Sequence, residues 1–297
     1  MTHRRRLNLS WATGALLLAL PMACSLAQTP APMTAPMTME VIEAADFAQD
    51  EAFGAIAAAD VVYLGEHHDS AADHQAQLAI IQALYAENPD LAIAMEMFQR
   101  PFQPAIDRYL AGDISEAELV VQTEYEQRWG FDWEYYAPIL RFAKAHQLPV
   151  LALNAPSETV RQVSREGLDS LEGDDLRYIP PLTDIDTSNS AYRAFVAEAF
   201  GSHSAHGSFD LDNFFAAQVL WDETMAATVA EFAQTSPSTQ VVVLAGNGHV
   251  VYGYGIPDRV ERRLGDAVQQ VTVLLNFPPE RLAVEADNIG DVLWYSE

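Results

Sequence analysis

The chain alternates short runs of apolar, often β-branched residues with longer stretches in which apolar positions recur at helical spacing. Val61-Val62-Tyr63-Leu64, Leu91-Ala92-Ile93-Ala94-Met95, Pro149-Val150-Leu151-Ala152-Leu153, Val241-Val242-Val243-Leu244 and Val271-Thr272-Val273-Leu274-Leu275 are continuous, the pattern of strands covered on both faces. Val292-Leu293-Trp294-Tyr295 reads as a sixth strand. Between them the spacing predicts helices near 42–58, 71–87, 102–110, 115–123, 134–147, 157–166, 190–200, 209–234 and 257–264. Strands separated by helices need crossovers, so the expected fold is α/β, a mainly parallel central sheet flanked by helices. The long helical stretch at about 155–238, which contains Pro180-Pro181 and the small-polar segment 201–208, reads as an insertion over the strand C-terminal edge and a candidate lid.

The N-terminus carries an address. Arg4-Arg5-Arg6 precede an apolar run from Trp11 to Ala23 and then Ser25-Leu26-Ala27, the three parts of a secretory signal, so residues 1–27 read as a signal peptide. Cys24 directly after Ala23 resembles a lipoprotein box, with Pro21 where such a box has Leu. The expectation is an exported, periplasmic protein, either cleaved after Ala27 or lipid-anchored through Cys24. Residues 28–40, rich in Pro, Thr, Ala and Met, read as a flexible linker, and 41–297 as a single domain.

Charge and cysteine usage narrow the function. The 297 residues hold 16 basic and 42 acidic side chains, a formal charge of −26 that argues against nucleic acid as a partner. A hydrophobic fraction of 49% excludes a disordered acidic tail. With Cys24 the only cysteine, disulfides, cysteine zinc sites, c-type haem attachment and iron–sulfur clusters are excluded. Metal or acid/base chemistry must then come from His, Asp, Glu, Tyr, Ser or Met.

Ligands of parallel sheets bind beyond the strand carboxyl ends, so the residues that follow each strand carry the most information. They are Gly65-Glu66-His67-His68-Asp69, Glu96 within Met95-Glu96-Met97-Phe98, Asn154, and Gly246-Asn247-Gly248-His249. Glu96 stands out because its neighbours are apolar, and a buried carboxylate must be paired, hydrogen-bonded or neutralised. The plain structural alternative for it is a salt bridge to an arginine such as Arg100. Taken together, Glu66, His68, Glu96 and His249 form a set of two carboxylates and two imidazoles that suits a divalent metal or general acid/base work. Tyr252 and Tyr254 read as packing residues or as oxygen ligands, tyrosinate being a haem-iron ligand. His74 and His146 read as surface or capping residues, and His203 and His206 as a solvated loop pair. No His-Glu-x-x-His, Gly-x-Ser-x-Gly or Walker pattern is present.

Four segments in order carry a family resemblance: Val61 to Asp69, Met95-Glu96-Met97-Phe98-Gln99, Gln218-Val219-Leu220-Trp221-Asp222-Glu223-Thr224-Met225-Ala226, and Gly246 to Val250 through Gly255-Ile256-Pro257. Together they resemble the ChaN-like haem-binding lipoproteins, of the superfamily that also holds Tiki/TraB and erythromycin-esterase-like proteins. The resemblance implies haem as cofactor, a role in haem and iron uptake, two molecules pairing around the haem, and outer-membrane iron-uptake components as partners. Residues placed to hold the haem are Tyr252, Tyr254, His249, His68 and His67. The other branches of the superfamily imply the alternative of an exported hydrolase, with Glu66, His68, Glu96 and His249 catalytic or metal-ligating.

Overall fold

The continuous apolar runs form strands because helices cover both of their faces. The computed structural model describes residues 40–43, 51–203, 210–265, 268–278 and 289–296. The expected signal peptide, Cys24, the linker up to residue 39, and residues 204–209 with His206 lie outside the described residues. In chain order the first half holds β1 (Glu40–Glu43), α1 (Glu51–Ala58), β2 (Val61–Glu66), α2 (Ala71–Glu87), β3 (Leu91–Gln99), α3 (Gln103–Ala111), α4 (Glu116–Gln122), α5 (Tyr125–Arg128) and α6 (Trp133–His146). The second half holds β4 (Val150–Asn154), α7 (Ser157–Glu166), α8 (Ser190–His203), α9 (Leu211–Thr235), β5 (Gln240–Gly246), α10 (Ile256–Leu264), β6 (Gln270–Leu275) and β7 (Val292–Tyr295). No described helix is long and apolar enough to cross a membrane.

The strands form one sheet in the order β1-β7-β6-β2-β5-β3-β4, every neighbouring pair parallel. Successive side chains point to opposite faces. Val62, Leu64, Ile93, Met95, Val242 and Leu244 face Ile80, Ile81, Ile106 and Leu140 of the helices on one side. Val61, Tyr63, Ala94, Val241 and Val243 face Met225 and Val229 of α9 and Val260 of α10 on the other. The sequence places residues 42–58 in one helix, but the helix starts at Glu51, and Glu40–Glu43 is a strand paired with β7 in the register Val41↔Leu293 and Ile42↔Trp294. A four-residue stretch has too little pattern to reveal itself; pairing with a sheet edge decides its conformation.

The insertion is anchored rather than hinged along its described length. Its helices share an apolar cluster that includes Val163, Tyr192, Phe215 and Leu220, and α9 doubles as a covering helix of the sheet. Glu223 of α9, with no solvent exposure, is the ionic rivet. Its oxygens accept from Arg262 Nη2 (2.5 and 2.6 Å), Arg263 Nη2 (2.6 Å) and the Asp186 backbone N–H (3.1 Å), and Arg259 Nε lies 3.3 Å away. Arg262 also donates to the Asp184 carbonyl (3.1 Å), so the segment before α8 is fastened to α10. Replacing Glu223 by Ala leaves Arg259, 1% exposed, without its buried carboxylate. We expect that variant to lose about 3–5 kcal/mol in urea denaturation; a loss under about 1 kcal/mol would mean that the arginines find equivalent partners elsewhere.

Candidate functional site

Strand order explains why distant segments converge. β5 lies between β2 and β3, and all three run in the same direction. Their carboxyl ends therefore emerge side by side, with Glu66 opposite Gly246 and Glu96 just beyond the Met95↔Leu244 pair. His249 follows β5 in a short 3-10 turn, Asn247–His249. Glu66, His68, Glu96 and His249 are thus brought together, and a cleft of about 470 Å3 opens among Glu66, His67, His68, Phe131, Gln218 and His249.

Three imidazoles border this cleft, and each has a fully buried carboxylate at Nδ1. His68 meets Glu66 Oε1 at 2.8 Å, His249 meets Asp222 Oδ1 at 2.7 Å and His67 meets Asp73 Oδ2 at 3.0 Å. A carboxylate there keeps a proton on Nδ1, which for His67 and His68 leaves Nε2 as the reactive nitrogen, whereas His249 Nε2 faces Glu96. Each carboxylate is in turn held. Glu66 accepts from Tyr136 OH (2.5 Å) and Gln77 Nε2 (2.6 Å), and Asp222 from Tyr192 OH (2.6 Å). Asp73 accepts from the His67 backbone N–H, Ser70 Oγ and Asn276 Nδ2, each at 2.8 Å. Trp129 stands edge-on to the His68 ring at 4.7 Å and Phe131 lies 5.2 Å away, an apolar wall beside it.

The charges are divided unequally. Glu96 Oε2 accepts the Gly246 backbone N–H at 2.7 Å and Oε1 lies 3.4 Å from His249 Nε2. Burial pushes this carboxyl up, but the His249 and His68 imidazoles outweigh it and hold the group at about 2. Burial likewise pushes the His249 imidazole down, while Glu96 and Asp222 win and lift it to about 10. His249 and Glu96 are therefore an imidazolium–carboxylate pair at neutral pH. For His68, burial is again opposed, by the Glu66 hydrogen bond and the charge on Glu96, and the net direction is upward.

Several expectations change in detail. Glu66 accepts from three donors and serves to hold His68, which leaves little of its capacity to act as a base or to meet a ligand. Among the described residues no group of three or more His, Cys, Asp or Glu side chains is arranged to hold a metal ion; Glu66 meets His68 and Glu96 meets His249. Arg100 is not the partner of Glu96; it donates to the Tyr178 carbonyl at 3.2 Å and lies 4.0 Å from Glu231. Tyr252 and Tyr254 stack on each other at 5.3 Å, Tyr254 meeting Tyr192 at 6.0 Å, and neither lines the cleft. His74 is buried, not on the surface: its Nε2 lies 3.1 Å from the His68 carbonyl and its ring stacks on Tyr135 at 4.8 Å. Asp222, Asp73, Gln77, Tyr136 and Tyr192 carry no role in the sequence reading. Only Asp222 had a signal, since it follows Leu220-Trp221 in an apolar helix as Glu96 does in an apolar strand.

The family model described as "Haem-binding uptake, Tiki superfamily, ChaN" matches residues 52–260. Protein RETICULATA-RELATED 5, chloroplastic, of Arabidopsis thaliana is 26% identical over 264 residues, covering 80% of this chain. The chain spans about a third of that relative, 34% of its length. Among solved structures, ChaN of Campylobacter jejuni, described by its cofacial heme binding, aligns with a TM-score of 0.59 at 20% identity over 76% of this chain and 85% of that one. A mutant of the erythromycin esterase EreC in its open conformation aligns at 0.47 and 12% identity, over 82% and 77% of the two chains.

Two outcomes follow from the geometry. A β-carbon added at Gly246 would lie 2.7 Å from His68 Cε1 and 2.8 Å from Nε2, so Gly246→Ala is expected to displace the His68 ring, visible as a changed imidazole resonance in NMR. The His249–Glu96 pair stabilises the fold fully only above the ordinary Glu value of 4.5 and below the ordinary His value of 6.5. His249 is raised, so its contribution drains away as pH climbs through about 10; Glu96 is depressed, so its contribution drains as pH falls toward about 2. The stability gap between wild type and Glu96→Gln in urea unfolding should narrow from pH 7 to pH 10, and a constant gap would mean that His249 is not charged.

Proposed function

We propose, from the premise that the chain belongs to the ChaN haem-binding family of the Tiki superfamily, that it binds haem in the strand-end cleft and serves haem or iron uptake from an exported position. The observation that carries this reading is the set of carboxylate-backed imidazoles. A histidine that ligates iron works best with its second nitrogen pinned to a carboxylate, because that fixes the tautomer and raises the basicity of the other nitrogen. His67 and His68 have this form, with side chains 35% and 28% exposed at the cleft. The residues present fit the group: His68 offers Nε2, and Trp129 and Phe131 supply an apolar wall for a macrocycle. Bound haem supplies an iron that accepts one such nitrogen lone pair. His249 is set aside, since its Nε2 faces Glu96. The arginine-led apolar segment 4–23 supports export, by cleavage near Ala27 or anchoring at Cys24. A planar ligand on an open cleft keeps one face uncovered, which suits closure by a second copy and transfer to outer-membrane uptake components.

A hydrolytic reading is favoured by one observation: His68, backed by Glu66, stands beside the charged Glu96–His249 pair in a solvent-reached cleft, which is a general-base arrangement. Turnover on a panel of esters and peptides should then vanish in His68→Ala and in Glu96→Gln, and turnover that survives in Glu96→Gln removes this reading.

Haemin titration tests the first reading. A Soret band distinct from free haemin is expected, with affinity about 10-fold weaker or worse in the double variant His67→Ala/His68→Ala. Absorbance that stays that of free haemin at every ratio overturns it. Weakening confined to Tyr252→Phe/Tyr254→Phe would instead put the iron on a tyrosine.

A further inference from the structure

We propose that Tyr136 is a positioning residue of this site, which acts through Glu66 to set how strongly His68 donates to the ligand in the cleft. For haem, this rests on the reading that the cleft binds it through His68. Tyr136 projects from α6, whose start is fixed by Asp132 accepting from the Glu134 N–H, and its ring is fully buried. Its hydroxyl donates to Glu66 Oε1 at 2.5 Å, the oxygen that also accepts from His68 Nδ1 at 2.8 Å. Phenol and imidazole thus compete for one oxygen atom. The other oxygen is taken by Gln77 Nε2 at 2.6 Å, with His74 Nδ1 at 3.6 Å.

A carboxylate shared among several donors pulls less on each. Were Glu66 held by His68 alone, its full charge would draw the Nδ1 proton, push electron density onto Nε2 and give the ring more imidazolate character. Tyr136 and Gln77 divert part of that charge. Burial, reinforced by Glu66, pushes the phenol far above its ordinary range, so it remains a donor and never becomes a competing anion. Packing does not require the hydroxyl, because the ring alone makes the edge contact with His74 at 4.5 Å. Gln77 tests the same logic from the opposite oxygen, and Glu66→Gln reverses it by removing the charge.

Two measurements on the full chain decide the matter, one of which needs no haem. In the haem-free protein, the His68 Nδ1 proton should move downfield in NMR in Tyr136→Phe and in Gln77→Met, and upfield in Glu66→Gln. In the haemin complex, Tyr136→Phe and Gln77→Met should favour ferric over ferrous binding by up to about tenfold, a midpoint potential lower by up to about 59 mV for a one-electron couple. Glu66→Gln should raise it. A purely structural role for Tyr136 would lower the melting temperature and leave both readouts where they are. If haemin gives no Soret band, the haem reading fails and the proton shift alone decides for or against Tyr136. If haemin binds and neither potential nor proton shift responds to any of the three changes, the proposal is overturned. Gln77→Met keeps the test available should Tyr136→Phe not fold.

Discussion

A carboxylate withdrawn from water has to be met by donors, and this constraint organises the carboxyl end of the sheet. Glu66, Asp73 and Asp222 are each fully buried, and each spends one oxygen on an imidazole Nδ1. Side-chain donors reach them from different layers, among them Gln77 from α2, Tyr136 from α6, Tyr192 from α8 and Asn276 from the end of β6. Satisfying three charges therefore ties helices on both faces of the sheet to its edge. The same contacts that make the carboxylates tolerable fix three histidine rings in direction, and His67 and His68 in tautomer as well.

Topology decides that these rings share a cavity. Chain order would put β2 beside β3, but β5 is threaded between them, so the turn after β5 enters a space already walled by Glu66 and Glu96. Glycine at 246 is part of this closure, because the His68 ring edge occupies the place a side chain would take. A parallel sheet without that insertion would carry Glu66 and Glu96 on adjacent strands with like charges and nothing between them. The His249 imidazolium pairs with Glu96, and His68 with Glu66.

Much of this was legible because strand ends are a place that periodicity can locate. Apolar runs marked six of the seven strands and, with them, Glu66, His68, Glu96 and His249. The partners were not legible for a physical reason: hydrogen-bond donors such as Tyr136 and Tyr192 arrive from amphipathic helices, where a tyrosine facing the core looks like packing. His74 was misplaced on the same ground, since a histidine in a helix carries no mark of which face it takes. Glu40–Glu43 failed differently, as its strand conformation comes from β7 and from nothing within its four residues. Asp222 was the one missed residue open to the argument used for Glu96, an acid among apolar neighbours; its chemistry became clear only with His249 2.7 Å away.

The four residues that stand out in the sequence do not share the chemistry equally. Glu96 and His249 neutralise each other, and an imidazolium whose Nε2 faces a carboxylate at 3.4 Å offers neither a lone pair nor a base. Glu66 is occupied by His68, Tyr136 and Gln77. That leaves His68, whose ring reaches the cleft between a fixed ionic pair and the Trp129–Phe131 wall, with His67 beside it at the rim. In both proposed readings, a haem iron that needs an electron pair or a water molecule that must lose a proton would meet the same nitrogen. The surrounding carboxylates decide how basic that nitrogen is, so the reactivity of the site is held in its buried hydrogen bonds more than in the residues that touch the ligand.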